Sequence, residues 1–505
     1  MRGMRAAAAG ALLALTSCAG GIAVTNPPLG PDGARPGPAY DYETLSRNTD
    51  PRRNSERILV IVALSGGGTR AAALGFGVLE QLAATTIRVP GAADARPVLE
   101  EVDIISANSG GSFLAAYYAI NRARTFETDA AGRTRFERDF LKRDVSRELV
   151  GEALENIVRI NTSPVNRSDV AAEHYGRTIF AGRTYRDLIP LGRPLVVINA
   201  QDTTKGARFE FTQDQFDLIC SDLAPFPLAR AVTASSAVHG VFAPIKLRNH
   251  PRALCPPEPA WVADALRGEG DADSLIDSPR ARLVRARTAR WYRDKLPDGL
   301  KAPPGAEFFV HLADGGAADN LGLRAPIFML ASRDSSVGLR RRIERGEVDS
   351  VLVIAVNADT APDPLRDTDA AGPTITRMLQ DAADGLIRTV TEDSLREAGY
   401  AMAALRAEAR RRGRRTAFYG PVVVDFESLP GDAERACFKR IKTSLDLAEE
   451  RVDALREAGR RRLLASPEFR RFVRDHRGTW RTLPTPPAAA RFCPERDTLP
   501  VAGLR

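Results

Sequence analysis

The chain has 505 residues, enough for one large domain with insertions or for two or three smaller ones. Hydrophobic residues make up 44% and charged residues 27%, which fits a folded protein and excludes a disordered or fibrous one. The net charge of +8 suits contact with acidic surfaces. However, the basic runs at 410–415 and 459–464 close helical patterns, stay solvated there and lack interleaved aromatics, which argues against nucleic acid as a partner.

Residues 1–17 carry arginines at 2 and 5 and then an apolar stretch too short to span a bilayer, the pattern of a secretory signal peptide. Leu15-Thr16-Ser17-Cys18 resembles the bacterial lipobox, which implies cleavage before Cys18 and a lipid on its thiol and new N-terminus. Ala19 stands where inner-membrane retention would call for aspartate, so the expected location is the cell envelope, anchored in the outer membrane. Four cysteines remain: Cys220, Cys255, Cys437 and Cys493. Their even number fits two disulfides in an exported protein, and of the three possible pairings proximity favours Cys220–Cys255 with Cys437–Cys493. No CxxC or Cys/His cluster has metal-ligand spacing, so a structural metal is not expected, and no cofactor is expected either.

Residues 18–56 are rich in proline, glycine and polar side chains and read as a flexible tether. Strand and helix signals then alternate. "ILVIVAL" (58–64), "VDIISA" (102–107), "FFVHLA" (308–313), "SVLVIAVNA" (350–358) and "PVVVDF" (421–426) are buried-strand runs. "PLVVINAQDTT" and "ARFEFTQ" form a strand pair, and helices are predicted over 69–84, 110–120, 374–411 and 442–465. Continuous apolar strands between helices imply an α/β layer structure whose sheet is covered on both faces. The catalytic domain is expected over 57–480, with a charged, proline-flanked insertion near 260–305, and 481–505 as a tail packed on it.

Three short motifs each follow a strand. Gly66-Gly67-Gly68-Thr69-Arg70-Ala71 fits the dinucleotide pattern, yet the next strand ends without the acid that would hold a ribose, and no Walker lysine is present. Ala107-Asn108-Ser109-Gly110-Gly111 is a nucleophile elbow with alanine for the first glycine: a sharp strand-to-helix turn lifts the hydroxyl clear, and small residues two positions either side avoid collision. Asp314-Gly315-Gly316 puts a carboxylate directly after a strand, at the sheet edge where α/β folds bind ligands. Singly, each also reads as packing, an N-cap or a turn.

In this order the three motifs resemble the patatin-like phospholipase family and, more distantly, the cytosolic phospholipase A2 catalytic domain. "RAVTASSAVHGVFAPIKL" (230–247) is similar to that family's alanine-serine block, and the likeness runs over about 57–466, departing at Ala71 and Ala107. The resemblance implies a three-layer α/β fold with a central, mostly parallel sheet and a serine lipid acyl hydrolase. It implies a dyad in which Ser109 attacks an ester carbonyl and Asp314 serves as base and then acid. The amides of Gly67 and Gly68, with Gly66, would form the oxyanion hole, while Arg70 would orient that loop or meet a head group. A phospholipid or other acyl ester is the expected substrate and the membrane the expected partner, with no obligate protein partner. Two other readings stay open: an α/β-hydrolase triad of Ser109, Asp314 and His476, the last expected to be exposed, and a non-catalytic envelope lipoprotein on the same scaffold.

Overall fold

The structure is a computed structural model that describes residues 26–91, 94–163, 165–238, 242–269, 278–297, 299–360, 374–486, 489 and 492–493. Cys18 and the lipobox lie outside the described residues. In chain order, the described elements that position the site begin with helix α1 (Tyr42–Asn48), strand β1 (Ile58–Leu64), helix α2 (Gly68–Ala83), strand β2 (Val102–Asn108) and helix α3 (Gly110–Asn121). Helices α4 (Val145–Glu155) and α5 (Arg167–Thr178) lead to strands β3 (Leu195–Asp202) and β4 (Ala207–Glu210), then helix α6 (Leu228–Ser235) and strand β5 (Ile245–Asn249). The insertion supplies α7 (Ala260–Leu266) and α8 (Pro279–Asp294), followed by β6 (Phe308–Asp314), β7 (Ser350–Val356), α9 (Ile375–Arg411), β8 (Ala417–Val424), α10 (Glu449–Ala465) and α11 (Pro467–Asp475).

Seven strands run in the order β8-β7-β1-β2-β3-β6-β5, and β4 pairs with β3 to make eight. The five from β8 to β3 are parallel, while β6 is antiparallel to its neighbours β3 and β5. Every residue of β1, β2 and β7 is buried, as both-face coverage by helices requires. The expected α/β layer architecture is therefore the observed one. Its close helix packing depends on two glycines: a Cβ on Gly77 of α2 would lie 2.0 Å from the Arg456 carbonyl, and one on Gly459 of α10 would lie 2.3 Å from that of Leu74. The apolar stretch 113–119 of α3 is core, packed among Phe136, Phe140 and Tyr175.

Several expectations are corrected. From residue 26 the segment expected as a tether is packed on the domain: Tyr40, Tyr42 and Leu45 are buried, and Asn26 Nδ2 donates to Ser221 Oγ at 3.1 Å. Its prolines and glycines shape a path along the surface, while its aromatics supply the burial that holds it there. The last long helix begins at Glu449 rather than 442, and the residues before it lie along the glycine loop. Arg460, within the run expected to be solvated, is buried and paired with Glu80 at 2.7 Å. The insertion folds as α7 against α8 around Val262, Ala265, Ala286 and Ala289. Disulfides join Cys220 to Cys255 and Cys437 to Cys493.

Candidate active site

Ser109 occupies the turn between β2 and α3 with φ 46° and ψ −120°. That left-handed backbone costs a non-glycine residue about 1–3 kcal/mol and persists only where its surroundings enforce it. Several contacts do so here. The Ser109 N–H donates to Ser235 Oγ at 2.8 Å, and Ser235 Oγ donates to Asn108 Oδ1 at 3.2 Å. The Ser109 carbonyl accepts from Ser112 N–H at 2.9 Å. Small residues around the serine are required by space: a Cβ on Gly110 would sit 2.1 Å from Gly68 O, and one on Gly111 would sit 2.7 Å from the carbonyls of Leu64 and Ser65. Ala107 is fully buried and its methyl is accommodated.

The glycine loop meets the elbow directly. A Cβ on Gly66 would lie 3.2 Å from Ser109 Cβ. The three amides have different environments. Gly66 N–H donates to Asn320 O at 3.0 Å, so it is already committed and is not available to an oxyanion, contrary to the sequence expectation. Gly67, with φ 133°, caps α2, and Gly68 opens it, so their amides belong to the helix terminus that has no intrahelical acceptor. Among the described residues neither amide has a hydrogen-bond acceptor. The next amide, Thr69 N–H, donates to Ser444 O at 2.8 Å, which pins the loop to the segment before α10.

Arg70 is buried, with Nε on Ala358 O at 2.8 Å and Nη1 on Ile441 O. Burial pulls its pKa down to about 10. Two of its nitrogens thus bond backbone carbonyls of distant segments, an arrangement that holds the loop, while Nη2 lies 3.0 Å from where a Gly67 Cβ would stand.

Asp314 ends β6. The register sets Asn108 beside Asn199, and Ala200 beside Asp314, so only β3 separates the strand of Ser109 from that of Asp314. Two strand spacings are about 10 Å. The turns close this further, because a Cβ on Gly315 would come within 2.4 Å of Asn108 Oδ1. Asp314 N–H donates to Ala237 O at 3.0 Å and Asp314 Oδ1 accepts from Gly316 N–H at 2.8 Å, which fixes the carboxylate relative to its own backbone. Asn108, fully buried, thus lies between the glycine loop and the aspartate turn.

His476 does not join this site. It is buried rather than exposed, with Nε2 on Ser350 Oγ at 3.0 Å and Nδ1 on Phe472 O at 2.8 Å. Ser350 opens β7 opposite Ile58, six strand residues below the level of Ala107. At about 3.3 Å per residue this is roughly 20 Å from the elbow, too far for a base. His239 lies outside the described residues. His311 precedes Asp314 on β6, and its pKa is lowered by burial.

Asn108, Ser235, Asn320 and Ser444 are site-forming residues that the sequence reading did not single out. Ser235 lay within the quoted alanine-serine block and Asn108 within the elbow, so both carried a signal. Asn320 and Ser444 carried none, because only the folded chain brings them to the loop.

The family model of the patatin-like phospholipases matches residues 62–327, just over half of the chain, and spans the glycine loop, the elbow and the aspartate turn. No curated protein matches the chain. Two solved structures of the human GIVD cytosolic phospholipase A2 are distantly similar. One is 12% identical with a TM-score of 0.32, covering 68% of this chain and 51% of its own. The other, in complex with methyl γ-linolenyl fluorophosphonate, is 12% identical with a TM-score of 0.26, covering 75% of this chain and 67% of its own. This chain therefore spans about half the length of the first, and both likenesses are too distant to bear on the site. The family match, over a strand-loop-helix, an elbow and an aspartate turn assembled at one sheet edge, carries the assignment: this chain belongs to the patatin-like phospholipase family, a family of lipid-hydrolysing serine hydrolases.

Proposed function

We propose that the chain is a serine lipid acyl hydrolase of phospholipase A or lysophospholipase type, working through a Ser109–Asp314 dyad. Asp314 takes the hydroxyl proton as Ser109 Oγ bonds to the ester carbonyl carbon. The tetrahedral oxyanion is met by the amides of Gly67 and Gly68, each worth about 2.7–4 kcal/mol to the transition state. The carbonyl then reforms, the alcohol departs with the proton from Asp314, and water repeats the sequence to release the fatty acid. Arg70 acts by holding the glycine loop.

The single observation that carries this reading is the strained backbone of Ser109, held against the glycine loop on one side with the Asp314 turn packed on Asn108 at the other. Strain of this kind persists where the surroundings require it. The committed Gly66 amide narrows the oxyanion hole to two loop donors. We further propose that lipid on Cys18 holds the enzyme in the outer membrane, which would keep it beside its substrate.

Labelling by a fluorophosphonate, combined with turnover of single variants, tests the dyad. Ser109→Ala abolishes labelling, Asp314→Asn abolishes turnover, and His476→Ala retains turnover. Loss of turnover in His476→Ala with activity kept in Asp314→Asn would overturn the dyad.

A further inference from the structure

Helix α4 and the short helix Ile157–Thr162 that follows it carry apolar side chains that nothing among the described residues covers. Val150, Leu154 and Val158 recur every four residues and are 55%, 54% and 69% exposed, with Ile157 beside them at 40%. Val150 and Leu154, four apart on α4, share one face of it, and Ile157 and Val158 stand at the start of the next helix, directly after the Asn156 turn. An exposed leucine or valine is ordinary when single, but a patch of several marks a contact surface.

Two acids of α4 are drawn away from these side chains. Glu148 is turned to α5 and held by Arg143 and His174, the latter at 3.0 Å. Glu152 is held by His174 at 3.0 Å and Arg177 at 2.5 Å. With these acids drawn inward, the exposed charges are Arg147, which precedes Val150 by one turn on the same face, Glu155 within the span and Arg159 just after Val158. Arg159 reaches Glu173 at 2.6 Å.

The patch is also joined to the site. Ser146 Oγ donates to Asp446 Oδ1 at 2.8 Å, two residues from Ser444, whose carbonyl accepts Thr69 N–H from the glycine loop. On the Asp314 side, Val238 is 45% exposed and follows Ala237, the acceptor for Asp314 N–H.

We propose that this patch is a docking surface for a phospholipid bilayer, which seats the enzyme so that a lipid leaves the membrane directly into the site. The inference rests on the lipid-hydrolase reading: a substrate that sits in an aggregate must be met at its surface, and the helix bearing the apolar face is tied to the glycine loop through Ser146, Asp446 and Ser444. Exposed apolar side chains flanked along the chain by Arg147 and Arg159 suit the boundary between acyl chains and acidic head groups. Burying each side chain favours binding by about one to two powers of ten.

The test uses the full chain carrying Cys18→Ser, so that no lipid anchor masks the effect, with Ser109→Ala added so that the lipid is not consumed. This protein is floated with vesicles of phosphatidylethanolamine and phosphatidylglycerol, with and without Leu154→Glu and Val158→Glu. The parent is expected to float, and the double glutamate variant to partition at least tenfold less. With Ser109 restored, the glutamates lower turnover on vesicles by at least tenfold and leave turnover of a soluble short-chain ester unchanged. Equal flotation of parent and glutamate variant overturns the proposal. So does a parent dimer that the glutamates disperse, since a second copy of the chain would then cover the patch. Flotation needs no turnover, so failure of the hydrolase reading would leave the vesicle result standing.

Discussion

The Ser235 hydroxyl accepts the backbone N–H of Ser109 at 2.8 Å, so a side chain from α6 holds the turn that presents the nucleophile. The same hydroxyl donates to Asn108 Oδ1 at 3.2 Å, and both residues are fully buried. Ser235→Ala strands one donor and one acceptor in the interior. The expected cost is about 1–3 kcal/mol of stability by denaturant unfolding, with kcat on a soluble ester lowered and KM little changed. Ser235→Thr restores part of both.

Gly110→Ala tests the seam between elbow and glycine loop. Its methyl would lie 2.1 Å from Gly68 O and 2.5 Å from Gly68 N, so the loop must move by far more than thermal play allows. Because Gly68 is one of two proposed oxyanion donors, kcat is expected to fall about 10²–10³-fold, the loss typical of one donor. Circular dichroism is expected to show the fold intact.

The pH dependence of stability tests the placement of His476. Burial lowers its pKa below the ordinary histidine value, so the folded state resists a proton that the unfolded chain accepts. Its effect on stability is absent above about pH 7, and stability is lost as pH falls through about 6.5 toward the lower folded value. His250 and His311 are lowered for the same reason, whereas burial raises Asp214 to about 6 and acts in the opposite sense. The comparison of wild type with His476→Asn isolates the one group. The unfolding midpoint of the variant should fall less between pH 7.5 and 5.5, with kcat unchanged.

The Cys437–Cys493 disulfide ties the C-terminal segment to the helix Asp432–Lys439, and Phe492 stacks edge-on against Phe438 with centroids 5.5 Å apart. Cys437→Ser with Cys493→Ser is expected to lower stability by about 2–4 kcal/mol, from the loop-closure entropy returned to the unfolded chain. Denaturant titration of oxidised protein and variant measures it.

Much of this arrangement is written locally. The seven apolar residues of 58–64, and 102–107 with only Asp103 and Ser106 polar, suit strands of a sheet buried on both faces, and each delivers its motif at its carboxyl end. The strand before the aspartate turn differs, being partly exposed and antiparallel to β3, and its register brings Asp314 level with Ala200. What the sequence did not disclose depends on partners far along the chain. Gly66 looks like its two neighbours until Asn320 takes its amide. Residues 442–448 continue a helical pattern, yet Ser444 is drawn out to accept Thr69 N–H from the glycine loop. His476 stands among charges in the sequence, but the turn after α11 folds it under Phe472. The segment 26–56 has a tether's composition, and only the burial of Tyr40 and Tyr42 marks it as part of the domain.

Acyl release from a mixed phospholipid extract by purified wild type and Ser109→Ala is the most direct measurement. The dyad account predicts free fatty acid and lysophospholipid from the wild type and only background from the variant. Equal release by both proteins, or none by a folded wild type that also fails to take a fluorophosphonate, would contradict it.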